Sequence, residues 1–368
     1  MTLDNIIKIL HVVPGQNNDS LVESLVKYSD IRIGILTLRE FDTSLQNCCS
    51  QNGTYLGSLK IHQKVSLRSI LAFRAEIKKL QPELVFLHGV EANFLGILTK
   101  IAFAPGTKFA GVRHHNSMYH NLTNAGIKVS IVDRLSNQLF PLIIAVSDSV
   151  RETLLREGCR SKKIRVIYNG IERRDEITKS PNDTIKRQEP KPTLRILAIG
   201  KLSRQKNYEG MFEILRLLTH SNIKFNLSIL GTGDEKYRSK LQALAIELEI
   251  SDKIDWLGWQ AQVDDWFENS DLFLHTALDE ACPLVLIEAM LHGVPVVSSN
   301  AGGCKDVLKS FYTGIDPKNF QGFNFAIQDV AHDLPQAKAL ANTISQIVKA
   351  NFSAEVMAKN YCNLIRSV

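Results

Sequence analysis

Two glutamates eight positions apart are the residues whose spacing points most clearly to chemistry. Glu280 lies just before an apolar stretch, and Glu288 is the one charged residue between positions 281 and 291. Pro283 suits the first turn of a helix and Gly293 suits its end, so the stretch predicts a helix that holds Glu288 among apolar side chains. Such a carboxylate needs a polar partner, because burying it alone is costly. Glu280 would lie near the helix N-terminus, which attracts anions, so the pair predicts a nucleotide-sugar site.

A turn with two lysines follows the predicted strand at 194–199. Gly200 ends that strand and leaves room for a ligand beside the backbone. Lys201 and Lys206 would project from the carboxyl edge of the sheet, where open α/β sheets bind ligands. Two cations there would neutralise a diphosphate as it leaves. The alternative is an ordinary polar loop with exposed lysines.

Two glycine turns are weaker candidates at the same edge. Gly231 begins a Gly-Thr-Gly-Asp turn after the strand that ends at Leu230, and Gly302 and Gly303 follow the strand at 294–298. Such pairs are more often tight turns than binding loops. They are candidates because of their position, since each is a strand-to-helix turn at the edge of the sheet where a nucleotide could bind.

Histidines stand at the corresponding edge in the first half of the chain. His114 and His115 follow the strand that ends at Val112, and His88 is a weaker candidate after another strand. A histidine there can bind a substrate hydroxyl or move a proton near neutral pH, although a structural role is the alternative. Gly15, in the loop after the first strand, could bring backbone amides toward a phosphate.

Strand and helix patterns alternate along both halves of the chain. The strand candidates are continuous apolar runs, which fit parallel strands buried on both faces and predict α/β folds of the doubly wound type. Helical patterns such as Leu67–Leu80 and 127–139 lie between them. The predicted strands are 6–12, 31–36, 84–87, 108–112, 142–146 and 164–167, then 194–199, 224–230, 254–257, 272–275 and 294–298.

The two series predict two Rossmann-like domains. The first covers residues 1–171, a polar segment at 172–193 with three prolines reads as a linker, and the second covers 194–352. The final segment, 353–368, is typical of an amphipathic helix, with Ser353 as its N-cap, that packs back on the first domain. The cleft between the domains is the expected ligand site.

Charge is divided unevenly between the halves. Residues 1–180 hold 24 Lys+Arg against 16 Asp+Glu, net +8, whereas 181–368 hold 20 against 22, net −2. The basic half favours an anionic partner such as a membrane face, with a solvated basic surface as the alternative. The basic amphipathic segment Leu67–Leu80 could touch such a membrane, but a helix that covers the sheet is the favoured interpretation. Nucleic acid is not expected, because no aromatic-rich basic strand motif is present.

Other broad classes are disfavoured by the sequence. It has no apolar run of 18 residues and no signal-peptide pattern, so we expect a cytoplasmic protein. The six cysteines lack metal-like spacing and are expected to be free thiols. No Asp-x-Asp is present, so we expect no required metal. No Gly-x-Gly-x-x-Gly follows the first strand, which argues against a nicotinamide-dependent enzyme.

The chain resembles the retaining glycosyltransferases of family 4, which have the GT-B fold. The E-x7-E motif appears as Glu280 and Glu288, followed by AMLHGVPVV. The other similar segments are QPELVFLH at 81–88, AVSDSV at 145–150, VIYNGI at 166–171, GKLSRQKN at 200–207, LGTGD at 230–234 and WLGW at 256–259.

The resemblance implies roles for several of these residues. Glu280 would contact the hydroxyls of the donor sugar, and Glu288 would bind the ribose. Lys201 and Lys206 would hold the diphosphate, with help from backbone amides around Cys282, Pro283, Leu284 and Val285. His114, or alternatively His115, would lie near the reacting sugar. The leaving phosphate would help to take the acceptor's proton. The implied catalytic set is Glu280, His114 and Lys206.

The chain departs from the family pattern at several positions. Lys201 stands where arginine is common, Ala281-Cys282-Pro283 replaces a frequent Gly-Phe-Gly, and Gly15 lacks a second glycine beside it. The expected activity is transfer of a sugar from a nucleoside-diphosphate sugar, such as a UDP-sugar, to a hydroxyl of a lipid-linked or polysaccharide acceptor. The alternative is a non-catalytic GT-B protein that binds nucleotide sugar and acts as an assembly partner. The basic domain would tie the protein to the cytoplasmic face of the inner membrane.

Overall fold

The structure is a computed structural model that describes residues 7–15, 20–62, 64–103, 106–116, 126–172, 193–221, 223–309 and 311–366. The chain divides into two compact units. Unit 1 comprises residues 1–172 and 352–368, and unit 2 comprises residues 173–351. The segment predicted as a linker, 172–193, lies outside the described residues except for its two ends.

Unit 1 is built on a parallel sheet whose central strands are buried at every residue. Its described strands are β1 (Ile9–Val13), β2 (Ile33–Thr37), β3 (Tyr55–Ser58), β4 (Leu84–His88), β5 (Lys108–Arg113), β6 (Leu142–Ala145) and β7 (Ile164–Val166). They run in the order β3-β2-β1-β4-β5-β6-β7. β1 pairs with both β2 and β4, so the strand order reverses between β1 and β4, where such sheets bind ligands.

Helices connect these strands. Those described in this part of unit 1 are α1 (Ser20–Tyr28), α2 (Thr43–Gln51), α3 (Leu67–Leu80), α4 (Gly89–Phe103), α5 (Gly126–Leu139) and α6 (Asp148–Arg156). α1 packs against α2, and α4 packs against both α3 and α5. α3 begins at the predicted residue because Ser66 and Ser69 form a reciprocal capping box.

Unit 2 repeats this plan with a smaller sheet. Its described strands are β8 (Leu194–Ile199), β9 (Phe225–Leu230), β10 (Ile254–Gly258), β11 (Leu272–His275) and β12 (Val296–Ser298), in the order β10-β9-β8-β11-β12. Its described helices are α7 (Tyr208–Thr219), α8 (Glu235–Glu247), α9 (Asp264–Glu268), α10 (Leu284–Leu291), α11 (Cys304–Leu308), α12 (Phe320–His332) and α13 (Leu334–Phe352). The order reverses between β8 and β11, so the turns after these two strands flank the expected ligand position.

The last helix returns to unit 1. α14 (Ala354–Arg366) packs against α1 and buries Met357, Ala358 and Tyr361. Ser353 caps it, because its Oγ accepts a hydrogen bond from the backbone N–H of Val356 at 3.3 Å. The predicted amphipathic helix and its cap are therefore confirmed.

The two parallel sheets confirm the predicted α/β doubly wound fold. The predictions for β8, β11 and α3 match in both bounds, and most other strands differ by one to three residues at an end. One strand, β3, was not predicted. The helix predicted to include Pro283 begins one residue later, with Pro283 as its cap.

Candidate active site

An ion pair joins the two turns that flank the switch point of unit 2. Lys206 lies in the turn after β8, and Glu280 lies in the segment after β11. Lys206 Nζ is 2.5 Å from Glu280 Oε1, and the side chains are 19% and 11% exposed. His275, the last residue of β11, places its Nε2 3.5 Å from the same oxygen. A lysine and a glutamate 74 positions apart in sequence thus meet at the carboxyl edge of the sheet.

These contacts fix the charges of the group. Burial of the Glu280 carboxyl raises its pKa, but the contact with His275 and the positive charge of Lys206 outweigh burial and lower that pKa to about 2. Burial lowers the pKa of His275, whose contact with Glu280 opposes this only in part. At neutral pH the Glu280 carboxyl is therefore ionised, and the lowered pKa of His275 favours its neutral imidazole.

Backbone contacts hold the lysine turn against the glutamate segment. Gln205 donates from its side-chain amide to the carbonyl of Asp279 at 2.8 Å, and Leu278 N–H donates to the carbonyl of Gln205 at 2.8 Å. Asn207 caps α7 through Gly210 N–H and donates to the carbonyl of Thr276 at 3.1 Å. Lys206 is therefore positioned by its neighbours on both sides.

Lys201 lines a cavity of about 600 Å³ within unit 2. The cavity is also lined by Gly200, Gly231, Trp259 and Gln260. Trp259 is 66% exposed, which is unusual for so large an apolar side chain. Trp259 belongs to the WLGW motif but was not predicted as a site residue. An exposed aromatic ring beside a glycine turn is the signal that could have identified it.

Gly231 can form this wall only because it has no side chain. Its φ is +142°, and a Cβ built on it would lie 2.0 Å from the carbonyl oxygen of Gly200. The two strand-end turns are thus in direct backbone contact, which leaves space for a ligand above them.

The N-terminus of α10 offers backbone donors without a side-chain cap. Pro283 is the cap residue and supplies no side-chain hydrogen bond. Leu284 and Val285 follow it and are partly exposed, whereas Cys282 is buried. Gly303 supports this turn, because its N–H donates to the carbonyl of Glu280 at 2.6 Å. The helix start therefore has the features of an anion site.

Glu288 is partly buried in α10, and no hydrogen-bond or ion-pair partner for it is found in the described part of the chain. Burial and the nearby negative charge of Asp264 raise the pKa of Glu288 to about 7. The expected polar partner is therefore not supplied by the described protein residues. Asp264 itself contacts His292, with 3.1 Å between Oδ1 and Nε2.

In unit 1, the rings of three histidines form a continuous series of contacts, the three-histidine chain. His11 Nδ1 lies 2.9 Å from His88 Nε2, and His88 Nδ1 lies 3.2 Å from His114 Nε2. His88 and His114 line a cavity of about 260 Å³ whose wall is otherwise mostly apolar. The other lining residues are Pro14, Leu21, Val22, Leu25, Gly89, Asn169, Met357 and Tyr361.

His115 has different surroundings. Its Nε2 lies 2.8 Å from Asp133 Oδ2, and the same oxygen pairs with Arg113 Nη2 at 3.1 Å. Arg113 also pairs with Glu157 at 2.9 Å. These buried contacts hold the segment after β5, so His115 is occupied within the protein and His114 is the one that lines the cavity.

Gly15 follows β1 with φ +65°, and a Cβ there would lie 2.7 Å from that of Thr37. The rest of its predicted loop, 16–18, lies outside the described residues. Of the predicted site residues, Lys206 and Glu280 make direct contact. Lys201, Gly200 and Gly231 share one cavity in unit 2, while His114 and Gly15 belong to unit 1.

The described residues contain neither a candidate metal-binding cluster nor a membrane-spanning helix. Within them, no cluster of three or more His, Cys, Asp or Glu side chains could hold a metal ion. No helix in the same residues has the length and apolar character needed to span a bilayer.

Two family models match the chain along most of its length. The model described as Glycosyltransferase Family 4 matches residues 21–174, and the model described as Glycosyl transferases group 1 matches residues 180–351. The chain belongs to the family 4 glycosyltransferases. Among solved structures, this family member is similar to HepE of Anabaena in complex with UDP and glucose, with a TM-score of 0.78 and 17% identity over 98% of this chain and 100% of that chain. This likeness confirms the predicted GT-B fold.

Similarity to two curated relatives covers a smaller part of the chain. The chain is 29% identical over 178 residues to lipopolysaccharide 1,6-galactosyltransferase of Salmonella typhimurium, which is 46% of each chain. It is 27% identical over 188 residues to the Escherichia coli protein of the same name, 49% of each chain. The chain therefore spans about half the length of the relatives that it matches.

Proposed function

We propose that this protein is a retaining glycosyltransferase that moves a sugar from a nucleoside-diphosphate sugar to a hydroxyl of a lipid-linked or polysaccharide acceptor. The observation that carries the proposal is the Lys206–Glu280 pair at the switch point of unit 2. Family membership supports it, as do the names of the Salmonella and Escherichia coli relatives. The UDP and glucose bound by HepE support a UDP-sugar as the donor.

The donor would bind to charged, backbone and aromatic groups of unit 2. Lys201 and the backbone amides of Leu284 and Val285 would hold the diphosphate, and Glu288, which has no described protein partner, would accept hydrogen bonds from the ribose hydroxyls. Trp259 would cover the base by stacking.

The Lys206–Glu280 pair suggests how donor binding prepares the site. A diphosphate competes with the single Glu280 carboxylate for the Lys206 ammonium, because it carries more negative charge. Once Lys206 turns to the phosphate, Glu280 is free to accept hydrogen bonds from the sugar hydroxyls. Lys206 then stabilises the charge that develops on the leaving phosphate, which in turn takes the acceptor's proton. On this proposal no metal is required, and turnover should persist in a chelator.

The acceptor would bind unit 1. Its cavity has apolar walls from α1 and α14 and a polar end at His88, His114 and Asn169. Such a combination suits a hydroxyl carried on a largely apolar molecule, since a few polar groups in an apolar pocket fix orientation. His114 would contact an oxygen of the bound substrate.

A thermal-shift panel of UDP-, GDP- and ADP-sugars tests donor binding. A donor at 100 times its Kd should stabilise the protein by about 2.7 kcal/mol. With that donor and a lipid-linked acceptor, release of nucleoside diphosphate measures turnover, and NMR of the product gives the anomeric configuration. Glu280→Ala should lower kcat/KM at least about tenfold. Glu268→Ala, a change at an exposed residue of unit 2, is the control. An inverted product would refute the retaining mechanism.

The second candidate is a non-catalytic protein that binds nucleotide sugar and acts as an assembly partner. The only feature in its favour is the first-strand loop, where Gly15 lacks the glycine neighbour common in the family. Donor binding without turnover on any lipid-linked or polysaccharide acceptor would favour this candidate over transfer.

We also propose that unit 1 contacts an anionic membrane through the face formed by α3, α4 and α5. These helices pack side by side, and the apolar residues Leu67, Leu71, Ile101 and Ile131 are all exposed on them. Exposed Arg68, Lys78 and Arg134 add positive charge to the same helices. This combination is typical of surfaces that bind anionic bilayers, and it would bring the enzyme to the cytoplasmic face of the inner membrane.

Sedimentation with vesicles tests this contact. Vesicles with anionic phospholipid should bind the protein, and binding should weaken with salt. Leu67→Glu should weaken binding about tenfold, because about 1.5 kcal/mol of burial is lost. Ile246→Glu is the matched control, since Ile246 is equally exposed but lies in unit 2. Equal binding to neutral vesicles would refute the proposal.

A further inference from the structure

The three-histidine chain of unit 1 restricts where its protons can lie. Each contact, His11 to His88 at 2.9 Å and His88 to His114 at 3.2 Å, joins two ring nitrogens. One nitrogen of each contact must donate and the other must accept. Burial lowers the pKa of His11 to about 3 and that of His114 to about 4, and it also lowers that of His88. All three rings are therefore neutral at physiological pH and carry one proton each.

Only two arrangements satisfy both contacts. If donation runs from His11 to His114, then His11 and His88 carry their protons on Nδ1, and His114 must also be protonated on Nδ1. If donation runs the other way, all three carry the proton on Nε2. The tautomer of each ring is thus set by the hydrogen bond that its other nitrogen makes. In both cases His114 Nε2 is occupied, and Nδ1 is the nitrogen left for a substrate.

The surroundings of His11 decide between the two. Its ring is about 1% exposed, stacks on Phe86 at 5.0 Å and meets the edge of Tyr361 at 5.6 Å. Among the described residues, His88 is its only hydrogen-bond partner. Within the described residues, the second arrangement gives the Nε2–H of this largely buried ring no acceptor, whereas the first leaves only a lone pair without a donor. A buried donor without a partner is rarer and more costly than an unused acceptor.

We propose that His11 and His88 are positioning residues that hold His114 as the tautomer protonated on Nδ1, so that His114 donates a hydrogen bond to an oxygen of the substrate. The assignment of tautomers stands on the geometry of unit 1 alone. The contact with substrate rests on the proposed function. His11 lies in β1 and never needs to touch the substrate, because its effect passes through the His88 ring.

The direct test is a long-range proton–nitrogen NMR spectrum of the full-length protein labelled with 15N-histidine. Such a spectrum shows which ring nitrogen carries the proton. His114 is assigned from its loss in His114→Asn, and exposed His62 and His220 serve as internal references. The expected result is His114 protonated on Nδ1. Protonation of His114 on Nε2 overturns the proposal.

A substitution at a distance tests the coupling. In His11→Met the thioether can accept a weak hydrogen bond but cannot donate, and methionine suits an apolar core. His88 should then donate from Nε2, and His114 should change to the Nε2–H tautomer. His62→Met, the same change at an exposed histidine of unit 1, should leave His114 as it was. An unchanged His114 tautomer in folded His11→Met contradicts the coupling. If His11→Met does not fold, the wild-type spectrum still decides the tautomer.

Turnover connects the tautomer to function. His11→Met should lower kcat/KM about three- to tenfold, since one hydrogen bond to the substrate is lost. In a His114→Ala background it should have no further effect, whereas a purely structural role would add to the loss. Full turnover in His114→Ala overturns the hydrogen bond to substrate. The proposed transfer reaction would survive that result if turnover still depended on Glu280.

Discussion

At the residue scale, the ion pair between Lys206 and Glu280 compensates two charges at the carboxyl edge of the sheet of unit 2. Both side chains are largely buried, so each would be costly to leave alone. The pair holds the carboxylate in the place where the proposed sugar hydroxyls would bind. We interpret the pair as a stabilising contact that keeps both charges compensated.

A double-mutant cycle tests this interpretation. Glu280→Leu alone should destabilise the protein by roughly 3 kcal/mol, because Lys206 is left buried without its partner. Adding Lys206→Met should recover most of that loss while turnover stays absent. Urea unfolding of the two single variants and the double variant measures the coupling. Additive losses would mean that the pair contributes little to stability.

Glu288 should make stability depend on pH. Its pKa is raised from 4.5 to about 7 in the folded protein by burial and by Asp264. The folded state therefore binds more protons than the unfolded state between these values, and stability falls as pH rises from about 4.5 to 7. Glu288→Gln removes this effect and should be more stable than the parent at pH 8 by about 1–3 kcal/mol, with little difference at pH 4.

Thermal unfolding of both proteins across that pH range measures the difference. Glu268→Gln, at an exposed position of unit 2, should keep the slope of the parent. The same pH slope in Glu288→Gln and the parent would show that Glu288 is not the group responsible. The uncompensated carboxylate is what a site reserved for ribose hydroxyls would require.

At the element scale, the start of α10 depends on a glycine from another loop. Gly303 has an ordinary φ of −70°, but a Cβ there would lie 1.9 Å from the carbonyl oxygen of Ala281. Gly303→Ala should therefore push the 280–282 turn away and weaken donor binding about tenfold or more. Gly106→Ala is the control, because no atom of the described residues other than its chain neighbours lies within 4 Å of its Cβ position. Calorimetric titration with UDP would measure both, and equal affinities would contradict the role of this contact.

The sequence predicted buried elements well because their apolar runs are continuous. β8 and β11 were predicted at the correct residues for that reason. β3 was missed because it is an edge strand, only partly buried at each residue, and Gly57 interrupts its pattern. The pairing of Lys206 with Glu280 could not be predicted, since it depends on which strands are neighbours. The three-histidine chain likewise needs β1, β4 and the segment after β5 to be adjacent.

At the scale of the whole molecule, the two units carry different parts of the proposed reaction. The donor groups lie in unit 2, whereas the cavity with His114 lies in unit 1. The net charge is +8 in residues 1–180, which form most of unit 1, and −2 in residues 181–368. An anionic acceptor or membrane would therefore be attracted to unit 1 rather than to unit 2.

Hydrogen exchange with and without UDP should reveal this division. Protection should appear in the turns at 200–206 and 231–234 and at the start of α10, because ligand binding stabilises the segments that it contacts. The strands β1 and β4 of unit 1 should exchange as before. Protection confined to unit 1 would show that the donor had been assigned to the wrong unit. Adenine, at the same concentration, serves as the control ligand.

The return of α14 to unit 1 has a consequence for how the chain is made. Ala354 N–H donates to the carbonyl of Ile171, and Ile171 N–H donates to that of Phe352, so this unit is completed by a segment more than 180 positions further along. On the ribosome, β1 to β7 are synthesised first, but unit 1 cannot complete its fold until α14 emerges. Unit 2 is a continuous stretch of the chain and can complete its fold earlier. Until α14 emerges, the face of α1 that packs against α14 lacks its cover, which leaves an apolar surface exposed on the nascent first half.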